Sequence, residues 1–137
     1  MIEQINAARL QKAASICNHA KTMIWVTFRL EGIHCWPDIK DNPDFEDIQF
    51  LSSEHRHMFG FKIWIEVLDN NREIEFIRFK RWCQSLYSTD SGPLQLNHLS
   101  CEMIADQLFM QIAEKYPSRE VWISIDEDQE NGCFKQY

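Results

Sequence analysis

The sequence lacks the features that mark membrane-spanning and exported proteins. No apolar run approaches the about 20 residues that a membrane-crossing helix needs. Residues 1–21 carry Lys and His where an export signal needs an unbroken apolar core, so we expect no signal peptide. The chain also has no internal repeat and no low-complexity tract. These absences favour a single non-exported globular domain without a membrane partner.

Basic charge is also scarce. Lys and Arg number 14 against 21 Asp and Glu, which gives a formal net charge of −7. A protein that follows the phosphates of DNA or RNA normally shows a basic stripe. The one short basic cluster, within residues 78–81, is offset by Glu73 and Glu75. We therefore expect no nucleic-acid partner.

The cysteines form no recognisable disulfide or metal pattern. Five are present, an odd number, and no two are spaced as CxxC. In a chain of this size they are typical of reduced, mostly packed thiols. This favours a reducing, cytoplasmic location. Their positions are Cys17, Cys35, Cys83, Cys101 and Cys133.

The length of 137 residues suits one domain with a real core. Apolar spacing predicts an amphipathic helix over residues 3–21, so we expect residues 1–22 to form a helical extension and 23–137 a single domain. Alternating apolar residues predict strands over 23–31, 56–68 and 121–125. The turn-forming residues 69–72 predict a hairpin with a short returning strand over 73–76.

Two further helices complete the expected fold. One is predicted over residues 77–86, and a second over 101–115, where Ser100 offers an N-cap and Pro117 ends the helix. Residues 36–47 and 88–93 are expected to be loops. This order predicts an α+β fold with an antiparallel sheet packed by two helices, plus the extra N-terminal helix.

Three histidines are candidate metal ligands. His55 and His57 lie at positions i and i+2, so on a strand they project from the same face. His34 follows the first predicted strand, and pairing of the first two strands would bring all three to one sheet edge. A catalytic zinc site uses three protein ligands and keeps a fourth position open. The other interpretation is that His34 lies in a loop and that the HxH pair is a polar strand start.

Five segments of the chain form an ordered set: FRLEGIH (28–34), HRHMFGFKIWIEV (55–67), IEF followed by FK (74–80), SCEMIA (100–105) and VWISIDE…GC (121–133). Taken in this order, they resemble the 6-pyruvoyl-tetrahydropterin synthase and 6-carboxy-tetrahydropterin synthase family. The resemblance covers about residues 23–133 and implies the tunnelling (T-fold) α+β architecture. It also implies a homo-oligomer built from trimers, which fits strands with apolar residues on both faces, including Trp25 and Trp64.

The resemblance implies zinc bound by His34, His55 and His57, although Arg56 stands where the family usually has glycine. It also implies that Glu127 binds the aminopyrimidinone edge of a pterin. A carboxylate can accept two N–H donors from such an edge as a bidentate pair. Guanine offers the same donors, so pterin and purine both remain possible. The alternative is that residues 126–130 form a solvated acidic turn.

The proton-transfer residues of the family are not found. Its cysteine lies a few residues before the HxH pair, where residues 49–54 hold none, and Cys35 is out of register. Its adjacent Asp–His pair is also missing. Glu54, Asp90 and His98 remain as candidate proton carriers, although strand alternation would point Glu54 away from the ligand face.

Two functions from different classes therefore remain open. The first is a zinc-dependent lyase or synthase acting on a dihydroneopterin-type substrate, in pterin or 7-deazaguanine (queuosine-type) biosynthesis. The second is a non-catalytic T-fold protein that binds or sequesters a purine or pterin nucleotide. A third interpretation is an interaction protein whose histidines are merely packed.

Overall fold

Five β-strands form one sheet in the order β3-β1-β2-β4-β5, and α-helices cover one of its faces. The computed structural model describes residues 1–137. Two 3-10 helices, Pro37–Ile39 and Pro43–Ser52, lie between the first two strands, in a region expected to be mainly loop. The strands are β1 (Thr22–His34), β2 (His55–Val67), β3 (Leu94–Asn97), β4 (Val121–Glu127) and β5 (Asn131–Gln136), and the helices are α1 (Ile2–His19), α2 (Phe76–Ser85) and α3 (Cys101–Lys115).

The α+β class predicted from the sequence is confirmed. β1 and β2 pair antiparallel along their full length, from Thr22 opposite Val67 to His34 opposite His55. β4 and β5 continue the antiparallel pairing. The sheet differs from the expected all-antiparallel one at β3, which runs parallel to β1. β2 ends beside Thr22, and α2 carries the chain back along the sheet, so β3 enters in the direction of β1.

One cluster of 20 buried residues forms the core between the sheet and two helices. α2 packs against β1, and α3 packs against β4 and β5. Because side chains alternate along a strand, every second residue of β1, β2 and β4 faces these helices. Burying a large apolar side chain stabilises the fold by about 1.5–3 kcal/mol. The largest fully buried residues on the three central strands and the two helices are Phe59, Phe61, Ile63, Ile65, Val121, Ile123, Ile125, Phe79, Ile104, Leu108 and Ile112.

The N-terminal helix α1 forms as predicted but buries none of its residues. Its apolar side chains, among them Ile2, Leu10 and Ile16, are all exposed. β1 begins only three residues after the helix ends. No helix of the protein combines the length and apolar character needed to cross a membrane.

The predicted returning strand over residues 73–76 is wrong. The Glu73 carboxylate accepts hydrogen bonds from the backbone amides of Leu68 and Asp69, which closes the turn. The Glu75 carboxylate accepts from Ile77 N and Arg78 N at 3.1 and 2.9 Å and caps α2. These carboxylates satisfy local amides, so no strand ladder forms here and the third strand of the chain follows α2 instead.

Candidate metal centre

At one edge of the sheet, the ends of β1 and β4 and the start of β2 carry polar side chains on the face that packs against the helices. The inward-facing positions of β1 finish at His34, those of β2 begin at His55 and His57, and those of β4 finish at Glu127. Pairing sets His34 opposite His55, and Phe59 opposite Glu127. The apolar inner face of the sheet therefore passes directly into a cluster of imidazoles and one carboxylate.

The three predicted histidines are brought together. One possible ligand atom from each lies within 4.8 Å of the others, so the group can hold a metal ion. The ring centroids are 4.6 Å apart for His34 and His55, 4.9 Å for His55 and His57, and 5.3 Å for His34 and His57. His34 is only 8% exposed, so it is a buried strand residue and not a loop histidine.

Each ring is held through its Nδ1 atom. Carbonyl and carboxylate oxygens only accept hydrogen bonds, so each Nδ1 is the protonated donor, and in the neutral ring each Nε2 carries the lone pair. Such partners orient metal-binding imidazoles and set their tautomer. The bonds run from His34 to the Leu99 carbonyl at 2.9 Å, from His55 to the Ser53 carbonyl at 2.8 Å, and from His57 to Asp128 Oδ2 at 2.7 Å.

The buried Nε2 atoms of His34 and His57 have no hydrogen-bond partner. The Glu127 carboxylate oxygens lie 3.1 Å from His34 Nε2 and 3.4 Å from His57 Nε2. Lone pairs on both sides repel unless a cation lies between them, and each unsatisfied buried polar group costs about 1–3 kcal/mol. The donor set therefore fits a metal ion that accepts imidazole nitrogen.

The His57 side of the centre is fixed by the turn after β4. Asp128 Oδ1 accepts from Met58 N at 2.9 Å, and Asp128 N donates to Met58 O at 2.9 Å. The Met58 amide and the His57 imidazole hold the pKa of the Asp128 carboxyl below its usual value. Phe59 packs edge-on against His34 and His57, with ring centroids 5.1 and 5.8 Å away. The His34 and His57 rings thus pack against the apolar core through Phe59.

Arg56, the departure from the family pattern, points away from the cluster. Its guanidinium lies 2.9 Å from Glu31 Oε1 and the side chain is 62% exposed. Strand alternation places it on the face opposite His55 and His57. It therefore does not crowd the three imidazoles.

A cavity of about 610 Å³ opens beside the imidazoles. Of the candidate proton carriers, His98 lines this cavity, whereas Glu54 and Asp90 are exposed and do not. The predicted heterocycle ligand, Glu127, does line it. The remaining lining residues that carry ionisable groups are His34, His55, Cys35, Asp38, Cys101 and Glu102.

Two cavity cysteines were not expected at the site. Cys35 follows His34 directly and was set aside because it is out of register. Cys101 opens α3, and its thiol lies 3.8 Å from Glu127 Oε1. Burial, with the nearby Glu127 charge, raises the pKa of Cys101 to about 12. The sequence predicts the Ser100 N-cap, but it does not show that the start of α3 faces the cavity.

Comparison with known proteins assigns no family to this chain, since no family model and no curated protein matches it. The likeness to tetrahydropterin synthases therefore rests on the five sequence segments alone. Independently of that likeness, the three imidazoles converge on a position that a metal ion can take, and His34 and His55 also line the cavity.

Proposed function

We propose that this protein is a zinc-dependent lyase of the tetrahydropterin synthase type, acting on a dihydroneopterin-type substrate in pterin or 7-deazaguanine biosynthesis. The observation that carries the proposal is the convergence of His34, His55 and His57, the first two of which line the cavity. Their Nδ1 atoms are engaged, so three Nε2 lone pairs remain as ligands. Zinc favours such nitrogen donors.

The protein residues prepare the centre before any ligand arrives. Hydrogen bonds to Leu99, Ser53 and Asp128 fix the rotation of each ring, so little ordering is needed when the ion binds. Bound zinc would supply Lewis acidity, which polarises an oxygen of the substrate. Phe59 excludes water from the core side of the rings.

The cavity suits a small polar heterocycle. Its volume, about 610 Å³, falls within the about 300–1,000 Å³ range of small-molecule sites. The carboxylates of Glu102 and Glu127 offer acceptors to an edge rich in N–H groups. Trp36, Leu51 and Met103 offer apolar surface to the faces of a ring.

Proton transfer would fall to residues of the cavity wall. His98 lines the cavity, and an imidazole has both a donor and an acceptor nitrogen for a proton. Cys101 is held as a neutral thiol, because burial raises its pKa to about 12, so it is a weak acid and offers no thiolate as a base. Cys35 is a third wall residue of suitable chemistry.

The second candidate function is a non-catalytic protein that binds a purine or pterin nucleotide. The specific observation in its favour is the position of Glu54 and Asp90, which lie outside the cavity. With the family's cysteine and Asp–His pair also missing, the ligand pocket is better preserved than the acid–base chemistry. Sequestration of a nucleotide would need only the pocket.

The metal content of the purified protein tests the lyase, because nucleotide sequestration would need only the pocket. We expect stoichiometric zinc in the wild-type protein and its loss in His57→Ala. The matched control is His19→Ala, because His19 is an exposed histidine of α1 far from the centre in sequence and bonded only to the Ser15 carbonyl. Folded wild-type protein without metal would contradict the proposal.

Incubation of the zinc protein with dihydroneopterin triphosphate separates the two candidates. Formation of a product with an altered side chain, detected by mass spectrometry, supports the lyase. Saturable binding of the same compound without turnover, measured by calorimetry, supports the nucleotide-binding protein and contradicts the lyase.

A further inference from the structure

We infer that Glu127 is a fourth protein ligand of the metal, which closes the centre until an incoming ligand displaces the carboxylate. This inference rests on the proposed metal centre. It assigns Glu127 a role different from that implied by the resemblance, in which the carboxylate serves only the heterocycle. The grounds are its distances, its burial and its fixed backbone.

The distances from Glu127 to two of the three imidazoles match those between neighbouring ligands of one ion. In a tetrahedral zinc site with bonds of about 2.0–2.1 Å, adjacent ligand atoms lie roughly 3.3–3.4 Å apart. Glu127 Oε1 lies 3.1 Å from His34 Nε2, and Oε2 lies 3.4 Å from His57 Nε2. The carboxylate therefore occupies the place of a fourth ligand relative to these two imidazoles.

The charge and the burial of the Glu127 carboxylate also favour a metal ligand. The Glu127 side chain is only 26% exposed and makes no ion pair with any Lys or Arg. Its other polar neighbour is the Cys101 thiol at 3.8 Å, a weak donor. An imidazolium or a metal ion beside such a carboxylate offsets its desolvation. A divalent ion held by the imidazoles would supply that charge.

The backbone of Glu127 leaves it little freedom to move away. β4 pairs residue 127 with Phe59 of β2 on one side and with Asn131 of β5 on the other. The next residue, Asp128, is bonded to Met58 through both its backbone and its side chain. The carboxylate can leave the centre only by rotation of its own side chain.

A closed centre changes how a ligand must bind. Structural zinc sites have four protein ligands, whereas catalytic sites keep one position for water or substrate. With Glu127 bound, an incoming oxygen ligand has to displace the carboxylate. The displaced carboxylate would then be free to accept the N–H donors of a heterocycle. In the free protein Glu127 would therefore bind the metal and not a heterocycle. In the complex the ligand would bind the metal, and Glu127 would bind the heterocycle.

Cobalt(II)-loaded protein provides the test, read by visible absorption during titration with azide. We expect azide to shift the spectrum of Glu127→Ala, in which the fourth position is open, at a lower concentration than that of the wild type, in which azide must displace the carboxylate. Glu127→Ala should also bind metal at least about tenfold more weakly in chelator competition, since even indirect partners of a metal contribute about 10–100-fold. Glu130→Gln is the matched control, because Glu130 is an exposed carboxylate close to Glu127 in the sequence that does not line this cavity. It should behave as wild type.

The outcomes separate this inference from the proposed function. An equal azide response and equal metal affinity in wild type and Glu127→Ala would overturn the fourth ligand and leave the three-histidine centre intact. Wild-type protein that binds no cobalt or zinc would overturn both. If Glu127→Ala does not fold, as judged by circular dichroism, Glu127→Gln replaces it, and the same azide and affinity criteria apply.

Discussion

His57 and Asp128 are joined by a 2.7 Å hydrogen bond that connects β2 to the turn after β4. The same carboxylate also accepts from the backbone amide of Met58, the residue that follows His57. One side chain therefore fixes both the imidazole ring and the strand that carries it. This is the arrangement expected of a carboxylate that supports a metal-binding histidine.

Removal of this support should weaken the metal centre without removing a ligand. We expect Asp128→Ala to lower zinc affinity by about 10–100-fold, because His57 loses its orienting partner. Chelator competition measures the affinity. Glu130→Gln changes a carboxylate of the same turn whose side chain makes no hydrogen bond, and it should bind zinc as wild type does. Equal affinities for the two variants would contradict the role given to Asp128.

Gly32 provides a second prediction, because β1 has no room for a side chain there. A Cβ atom at residue 32 would lie 2.8 Å from both Leu96 Cδ1 and Phe59 Cδ2. We expect Gly32→Ala to lower the free energy of unfolding by about 1–3 kcal/mol, the usual cost of overpacking. Urea denaturation of the metal-free protein measures it. Thr27→Ala, on the exposed face of the same strand, should change stability by less.

We expect Gly32→Ala also to weaken zinc binding, because it displaces the Phe59 ring. This ring packs against His34 and His57, so its displacement by a new methyl group moves both imidazoles. A Gly32→Ala protein that is as stable as wild type and binds zinc equally well would show that the close approach is not present in solution.

Glu73 and Arg119 predict a stability that depends on pH. The Arg119 guanidinium, with the Leu68 and Asp69 amides, lowers the pKa of Glu73 from 4.5 to about 2. The folded-state pKa lies below the unfolded one, so this carboxylate stabilises the fold above about pH 4.5 and the contribution is lost between about pH 4.5 and 2. We expect Glu73→Gln to be less stable than wild type at neutral pH, with a difference that shrinks through this window.

Urea denaturation at a series of pH values measures this difference. Asp90→Asn is the control, since Asp90 is exposed and forms no ion pair. Its stability should follow that of wild type throughout. A Glu73→Gln difference that stays constant from neutral pH down to about pH 2 would sink the assignment, because the charge of Glu73 would then contribute nothing.

The homo-oligomer implied by the resemblance stays a prediction. Trp25 is 56% exposed on the sheet face that carries no helix, and Lys62 Nζ lies 4.6 Å from its ring centroid and 4.8 Å from that of Trp64. We expect light scattering to give a mass well above the 16.4 kDa of one chain, and Trp25→Glu to lower it. Met110→Glu, on the exposed side of α3, should keep the wild-type mass. A monomeric wild-type protein would contradict the assembly.

The central strands could be predicted from the sequence because their apolar residues alternate over many positions. The same alternation carries the histidines, which continue the inward phase of β1 and β2. β3 and β5 were missed because each is short, and β3 offers only Leu94 and Leu96 to reveal a pattern. The failed strand at 73–76 shows that carboxylates which satisfy nearby amides can override a short apolar alternation.

The partners of the imidazoles could not be predicted in the same way. The Leu99 and Ser53 carbonyls belong to the backbone, and backbone oxygens leave no mark in a sequence. Asp128 lies in an acidic run that is typical of solvated turns, and only the pairing of β4 with β2 brings it to His57. Cys101 depends on how α3 docks, which is a property of the packed molecule.

The register of β2 determines both the apolar core and the imidazole cluster, because the core residues and the histidines of this strand face the same side of the sheet. Phe59, Phe61 and Ile63 alternate in step with His55 and His57. A slip of β2 by one residue would turn the whole set to the opposite face of the sheet. A misregistered chain would therefore lose its apolar core and its imidazole cluster in a single error. Natural variation along this strand should accordingly preserve the spacing between aromatic and histidine positions, and insertions should be confined to the connections outside it.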